Sequence, residues 1–70
     1  MNAQQEKAAY DELDAALSAE KTAALLLAAH IELHDRLGFP DTTSQRRLIS
    51  QYRAAMHRRE DADAAVQALR

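Results

Sequence analysis

Seventy residues with nine Lys and Arg, eleven Asp and Glu and a net charge of -2 make one domain at most. A chain this short buries too little apolar surface to be comfortably stable without staples, metal or oligomerisation. There is no cysteine, which excludes disulfides and thiolate metal sites and fits a reducing compartment. Met1 to Lys7 lacks the basic flank and apolar run of a signal peptide, and Ala23 to Ala29 is too short to span a bilayer. The expectation is a cytoplasmic protein with no membrane partner. Alanine dominates the hydrophobic fraction and Trp is absent. A core must therefore come from Leu, Ile and Ala at close helix spacing, as in a bundle or coiled coil.

At about 100° per residue, Leu13, Leu17, Ala24, Leu27 and Ile31 share one arc, with Ala9 and Ala28 at its edges. Lys7, Asp11, Asp14, Ser18, Lys21 and Arg36 lie opposite. This pattern predicts an amphipathic helix from about Ala3 to Leu37, with Leu27 and Ile31 at the centre of its core face. Ser18 followed by Glu20 is also a helix-start signal, and a break there would give three helices instead of two. Leu26, Leu33 and Leu37 form a second apolar flank more than about 100° from the first. A lone hairpin cannot cover both. The economical solution is a second copy of the chain, giving a twofold-symmetric four-helix bundle.

The only glycine and the only proline punctuate the middle of the chain, in Gly38-Phe39-Pro40. Gly38 suits the left-handed residue past a helix end, and Pro40 cannot continue the helix. Asp41, Thr42 and Thr43 all offer capping oxygens, and Thr42 to Gln45 has the spacing of a capping box. A second helix is expected from about Thr43 to Leu69. On its wheel Leu48, Ile49, Tyr52, Ala55, Met56 and Val66 share one arc. Arg46, Arg53 and His57 form a stripe on the far side, with Arg47 and Arg58 beside it.

Charge divides between the two halves. Residues 1–37 carry seven acids against three bases, and residues 38–70 carry six arginines against four acids. Antiparallel pairing of an acidic with a basic helix is favourable, although exposed pairs contribute only about 0.2 to 1 kcal/mol each. Arg59 falls inside the apolar arc of its helix, as Glu6 and Glu20 do in theirs, so an ion pair across helices or subunits would fix register.

Between Ser44 and Arg59 lie five arginines, one histidine and no acid. A solvated face usually mixes signs. Arg46, Arg47, Arg53, His57 and Arg58 are therefore the candidate partner-binding residues, suited to bidentate recognition of carboxylate or phosphate. An acidic protein surface ranks ahead of nucleic acid because the whole chain is acidic. Leu33 to Tyr52 superficially resembles a helix-turn-helix, which would imply DNA binding by the second helix. Ser44 and Arg47, however, occupy positions where that motif buries aliphatic residues, and Leu48 and Ile49 come too late.

His30 and His34 are four residues apart, the spacing at which two imidazoles can share a metal. The His-Glu-x-x-His pattern is not met, since Ile31-Glu32-Leu33 intervenes. His57 could add a ligand only by turning its basic stripe inward. The histidines are therefore expected to be interfacial, hydrogen-bonded groups, with no metal and no cofactor. No nucleophile–base grouping, glycine-rich phosphate loop or isolated acid pair is present, so no catalytic residues are assigned.

The expected protein is all-α: a two-helix antiparallel hairpin that dimerises into a four-helix bundle. Its dimer and core residues are Leu13, Leu17, Leu26, Leu27, Ile31, Leu33, Leu37, Leu48, Ile49, Tyr52 and Met56. The expected function is that of a non-enzymatic homodimer that binds an acidic surface of another protein and modulates or inhibits it. Its size and shape are those of small regulators of phage or mobile-element type. A DNA- or RNA-binding regulator is the alternative, and a metal-binding hairpin through His30 and His34 the lower one.

Overall fold

A computed structural model describes residues 2–70, which form two α-helices, α1 (Ala3–Leu37) and α2 (Thr42–Gln67), joined by a short turn. The fold is the expected all-α hairpin. Each end has a local cause. Asn2 caps α1: its side chain accepts the Gln5 N–H at 2.8 Å, and the Gln5 side chain accepts the Asn2 N–H at 3.4 Å. This reciprocal box closes two of the four donors a helix start leaves open, and the sequence reading had missed it.

At the other end Gly38 adopts φ 78° and ψ 11° and donates its N–H to the carbonyls of His34 and Asp35. A Cβ at Gly38 would meet nothing within 4 Å, so the requirement for glycine here is the left-handed backbone alone. The cap of α2 is Asp41, whose Oδ1 accepts the Ser44 N–H at 3.1 Å. The expected Thr42–Gln45 box is not formed, because Asp41 takes the capping position one residue earlier.

No break occurs at Ser18, so the three-helix alternative falls away. Glu20, which would have supported a helix start there, instead reaches across to Arg59 at 2.8 Å. The Cα extents are 54 × 14 × 13 Å, and α1 alone accounts for about 52 Å at 1.5 Å per residue. Thus α2 lies alongside α1 over its length. A helix-turn-helix crossing of about 90–120° would make the second dimension far larger, so that geometry is absent.

The seam between the helices follows alternating steps of four and three residues. In α1 it comprises Ala9, Leu13, Ala16, Glu20, Ala23, Leu27, His30 and His34, all buried or half-buried. Across it run Gln45, Leu48, Tyr52, Ala55, Arg59, Ala62, Val66 and, just past the helix, Leu69. This is the knobs-into-holes spacing of an antiparallel coiled coil. The Glu20–Arg59 register brings Ala16 level with Ala62, and Leu13 level with Val66. Ala16, Ala62 and Val66 are the buried residues, at 0, 5 and 2% exposure.

The seam is rotated by about 50° from the arc read off the sequence. Leu27, Leu48 and Tyr52 stay on it or beside it, but Ile31 and Leu17, expected at the core, are 46% and 47% exposed. Periodicity located the centre of all apolar residues, whereas the partner helix packs where alanine allows close approach. Leu13, Ile49 and Met56 are half-buried.

Ala16→Leu should cost about 1 to 3 kcal/mol, because the added atoms force the helices apart at their tightest point. The outward-facing Ala29→Leu should move stability by no more than about 0.5 kcal/mol. Paired urea melts followed by circular dichroism check both.

Candidate functional site

Three surfaces lie open around the seam. On one flank Leu26, Leu33 and Leu37 are 53, 51 and 51% exposed. They continue a shallow groove of about 540 Å³ lined by Ala15, Ala19, Thr22, Ala23 and Leu26 of α1 and by Gln51 and Ala55 of α2. On the opposite flank Tyr10, Leu17 and Ile31 recur at multiples of seven residues, beside half-buried Ile49 and Met56. Both flanks are apolar because α1 carries more hydrophobic circumference than one helix can cover.

The third surface is the outer side of α2, where Arg46, Arg47, Arg53 and His57 are exposed and make no ion pair among the described residues. Arg58, grouped with them from the sequence, is engaged within the hairpin. Its guanidinium donates two hydrogen bonds of 2.8 Å to the carboxylate of Glu12. That fork holds Glu12 below the usual carboxylate value of 4.5, the Arg58 hydrogen bonds outweighing partial desolvation. Arg59 is held in the seam by Glu20, their side chains only 30% and 23% exposed. Glu6 takes no part, leaving Glu20 as the partner of Arg59 anticipated from the helical wheels.

A separate cluster forms where the chain reverses. His30 and His34 lie on the seam face of the last two turns of α1, with ring centroids 4.4 Å apart. The cap residue Asp41 comes back towards them from α2, and the three half-buried side chains place potential ligand atoms within 4.8 Å of one another. His34 Nδ1 sits 3.2 Å from the Phe39 carbonyl, and the Phe39 ring meets the His34 ring edge-on at 5.7 Å. His30 Nε2 lies 3.4 Å from the Asp41 carbonyl. The Asp41 carboxyl is shifted below its ordinary value, chiefly by the Ser44 N–H, next by the Ser44 hydroxyl and least by the nearby imidazoles, against partial desolvation.

His57 is on the outer face of α2 and does not approach this cluster. Asp41 was overlooked as its partner because it served as a helix cap in the sequence reading. The available signal was its position one residue past Pro40, where a tight reversal must return the chain to the end of α1. No known protein family, characterised protein or solved structure matches the chain.

Because Glu12 is depressed in the folded state, its contribution is present above its ordinary value and is lost as pH falls through the lowered one. Glu12→Gln should therefore be less stable than the parent near pH 7, with the difference closing as the pH falls below the usual carboxylate range. Thermal melts of both proteins across that range check the sign.

Proposed function

We propose that the protein is a non-enzymatic, self-associating helical module that acts in the cytoplasm. It pairs with a second copy through the Leu26–Leu33–Leu37 flank and presents Arg46, Arg47 and Arg53 to an acidic surface of another protein, which it modulates or blocks. The observation that carries this reading is the amount of surface the hairpin leaves uncovered. A compact chain of 7.8 kDa would expose about 4,400 Å², whereas this one exposes 5246 Å². The excess is close to the roughly 800 Å² that each partner buries in a standard interface.

The distribution of that surface supports the same reading. Leucine, isoleucine and tyrosine side chains half open to water are grouped along flanks, not scattered singly, and grouped apolar surface marks contact sites. Arg46 and Arg53 lie on the side of α2 opposite the seam, so dimerisation leaves them accessible, while Arg47 stands at the edge of the groove flank. Against an acidic partner they speed encounter and, where desolvated, hold the complex.

Light scattering on the full chain at micromolar concentration should give twice the 7.8 kDa chain mass, and Leu33→Glu should return the monomer. A monomeric parent sinks the self-association. Arg46→Glu combined with Arg53→Glu should leave helicity nearly unchanged while abolishing capture of the partner. If the parent instead binds random duplex DNA with affinity falling steeply as salt rises, nucleic acid is the ligand.

A further inference from the structure

We propose that His30, His34 and Asp41 form a binding site for a divalent transition metal of the zinc class, held across the closed end of the hairpin. Two groups come from the last two turns of α1 and the third is the N-cap of α2, so an ion bound there would tie the end of α1 to the start of α2. Two imidazole nitrogens and one carboxylate oxygen are borderline donors that suit zinc, cobalt or nickel. Magnesium and calcium prefer all-oxygen shells. Three protein ligands would leave a coordination position for water or another group.

The geometry is near what such an ion requires. Bonds of about 2.0–2.1 Å in a tetrahedral shell put donor atoms about 3.3 Å apart. The ligand atoms already lie within 4.8 Å of one another, so side-chain rotation closes the remaining gap. The backbone need not move, because the i, i+4 spacing stacks the two imidazoles on one face.

Beyond distance, the surroundings prepare each group. The 3.2 Å contact to the Phe39 carbonyl requires a proton on His34 Nδ1, which leaves the Nε2 lone pair free. Histidines that ligate metals are typically held this way, by a carbonyl or carboxylate on the other ring nitrogen. Asp41 gives one carboxylate oxygen to the Ser44 N–H, and a metal would meet the Ser44 hydroxyl as the competitor for the carboxylate. His30 has only a 3.4 Å contact to a carbonyl that already accepts the Gln45 N–H at 3.0 Å, so it gives up little by turning to an ion.

The test uses the full chain without a polyhistidine tag and Zn²⁺ as the probe, followed by calorimetric titration and thermal melts. One ion per chain and a rise of several degrees in melting temperature are expected. Asp41→Asn is the informative variant, because asparagine caps a helix as well as aspartate does and so separates ligation from folding. Asp41→Asn and His34→Ala should each weaken Zn²⁺ by about tenfold or more, while His57→Ala binds as the parent does. With Co²⁺, the parent should show the visible bands of low-coordinate cobalt and Asp41→Asn should lose them. The site is overturned if Zn²⁺ at about 100 µM neither binds nor raises the melting temperature. It is equally overturned if Asp41→Asn, melting like the parent without metal, keeps the parent's affinity.

Discussion

Two helices in contact can hide only one stripe of each other, and everything else about this molecule depends on how narrow that stripe is. Its most tightly packed layer is made of alanines, Ala16 against Ala62, with Val66 beside it. Small side chains bring the helices close and leave little room for larger ones between them. Much of the leucine and isoleucine of α1 therefore lies on the flanks, where Leu17, Leu26, Ile31, Leu33 and Leu37 stand about half exposed. The same close approach that makes the hairpin regular gives it two unsatisfied sides.

A seam in which alanine and leucine recur specifies register poorly, since one apolar layer resembles another. Glu20 and Arg59 supply what the apolar residues do not. Both are largely withdrawn from water, and a slip of one heptad would leave two half-buried charges without partners, a costly alternative. Glu12 and Arg58 repeat the pairing at the rim, with less burial and a smaller effect. These two pairs divide α2 into unlike parts. The arginines of its C-terminal half serve the hairpin, and Arg46, Arg47 and Arg53, nearer the turn, remain open to a partner.

The helices and their reversal were legible in the sequence because the signals were strong and local: one Gly–Pro stop, long stretches without a breaker, and sustained amphipathic spacing. The boundaries of α1 followed directly. That Arg59 should pair with Glu6 or Glu20 was legible as well, since charges inside an apolar arc seek partners, but the choice of Glu20 within the hairpin depends on register. Rotation about the helix axis was not, because the wheel weights large side chains and the contact selects small ones, which moved Ile31 out of the seam. The turn cluster escaped for a different reason. Asp41 is distant from His30 along the chain, and a capping role already accounted for it, so only the closed backbone shows that one carboxylate can do both. The commitment of Arg58 to Glu12 likewise depends on register, which no single helix encodes.

The position of the tightest layer bears on how the hairpin forms and moves. Its connection runs only from Gly38 to Asp41, so the contacts cheapest in chain entropy are those beside the turn, and closure zips outward from there. Yet Ala16, Ala62 and Val66 lie towards the opposite end, near the two termini. The hairpin is thus fastened covalently at one end and by its best packing at the other. The less sealed stretch between them, along Leu26 and Gln51, is where the helices can breathe without either fastening letting go. Amide hydrogens in that middle stretch should exchange through local unwinding of the less supported helix turns, and those around Ala16 and Ala62 should exchange more slowly.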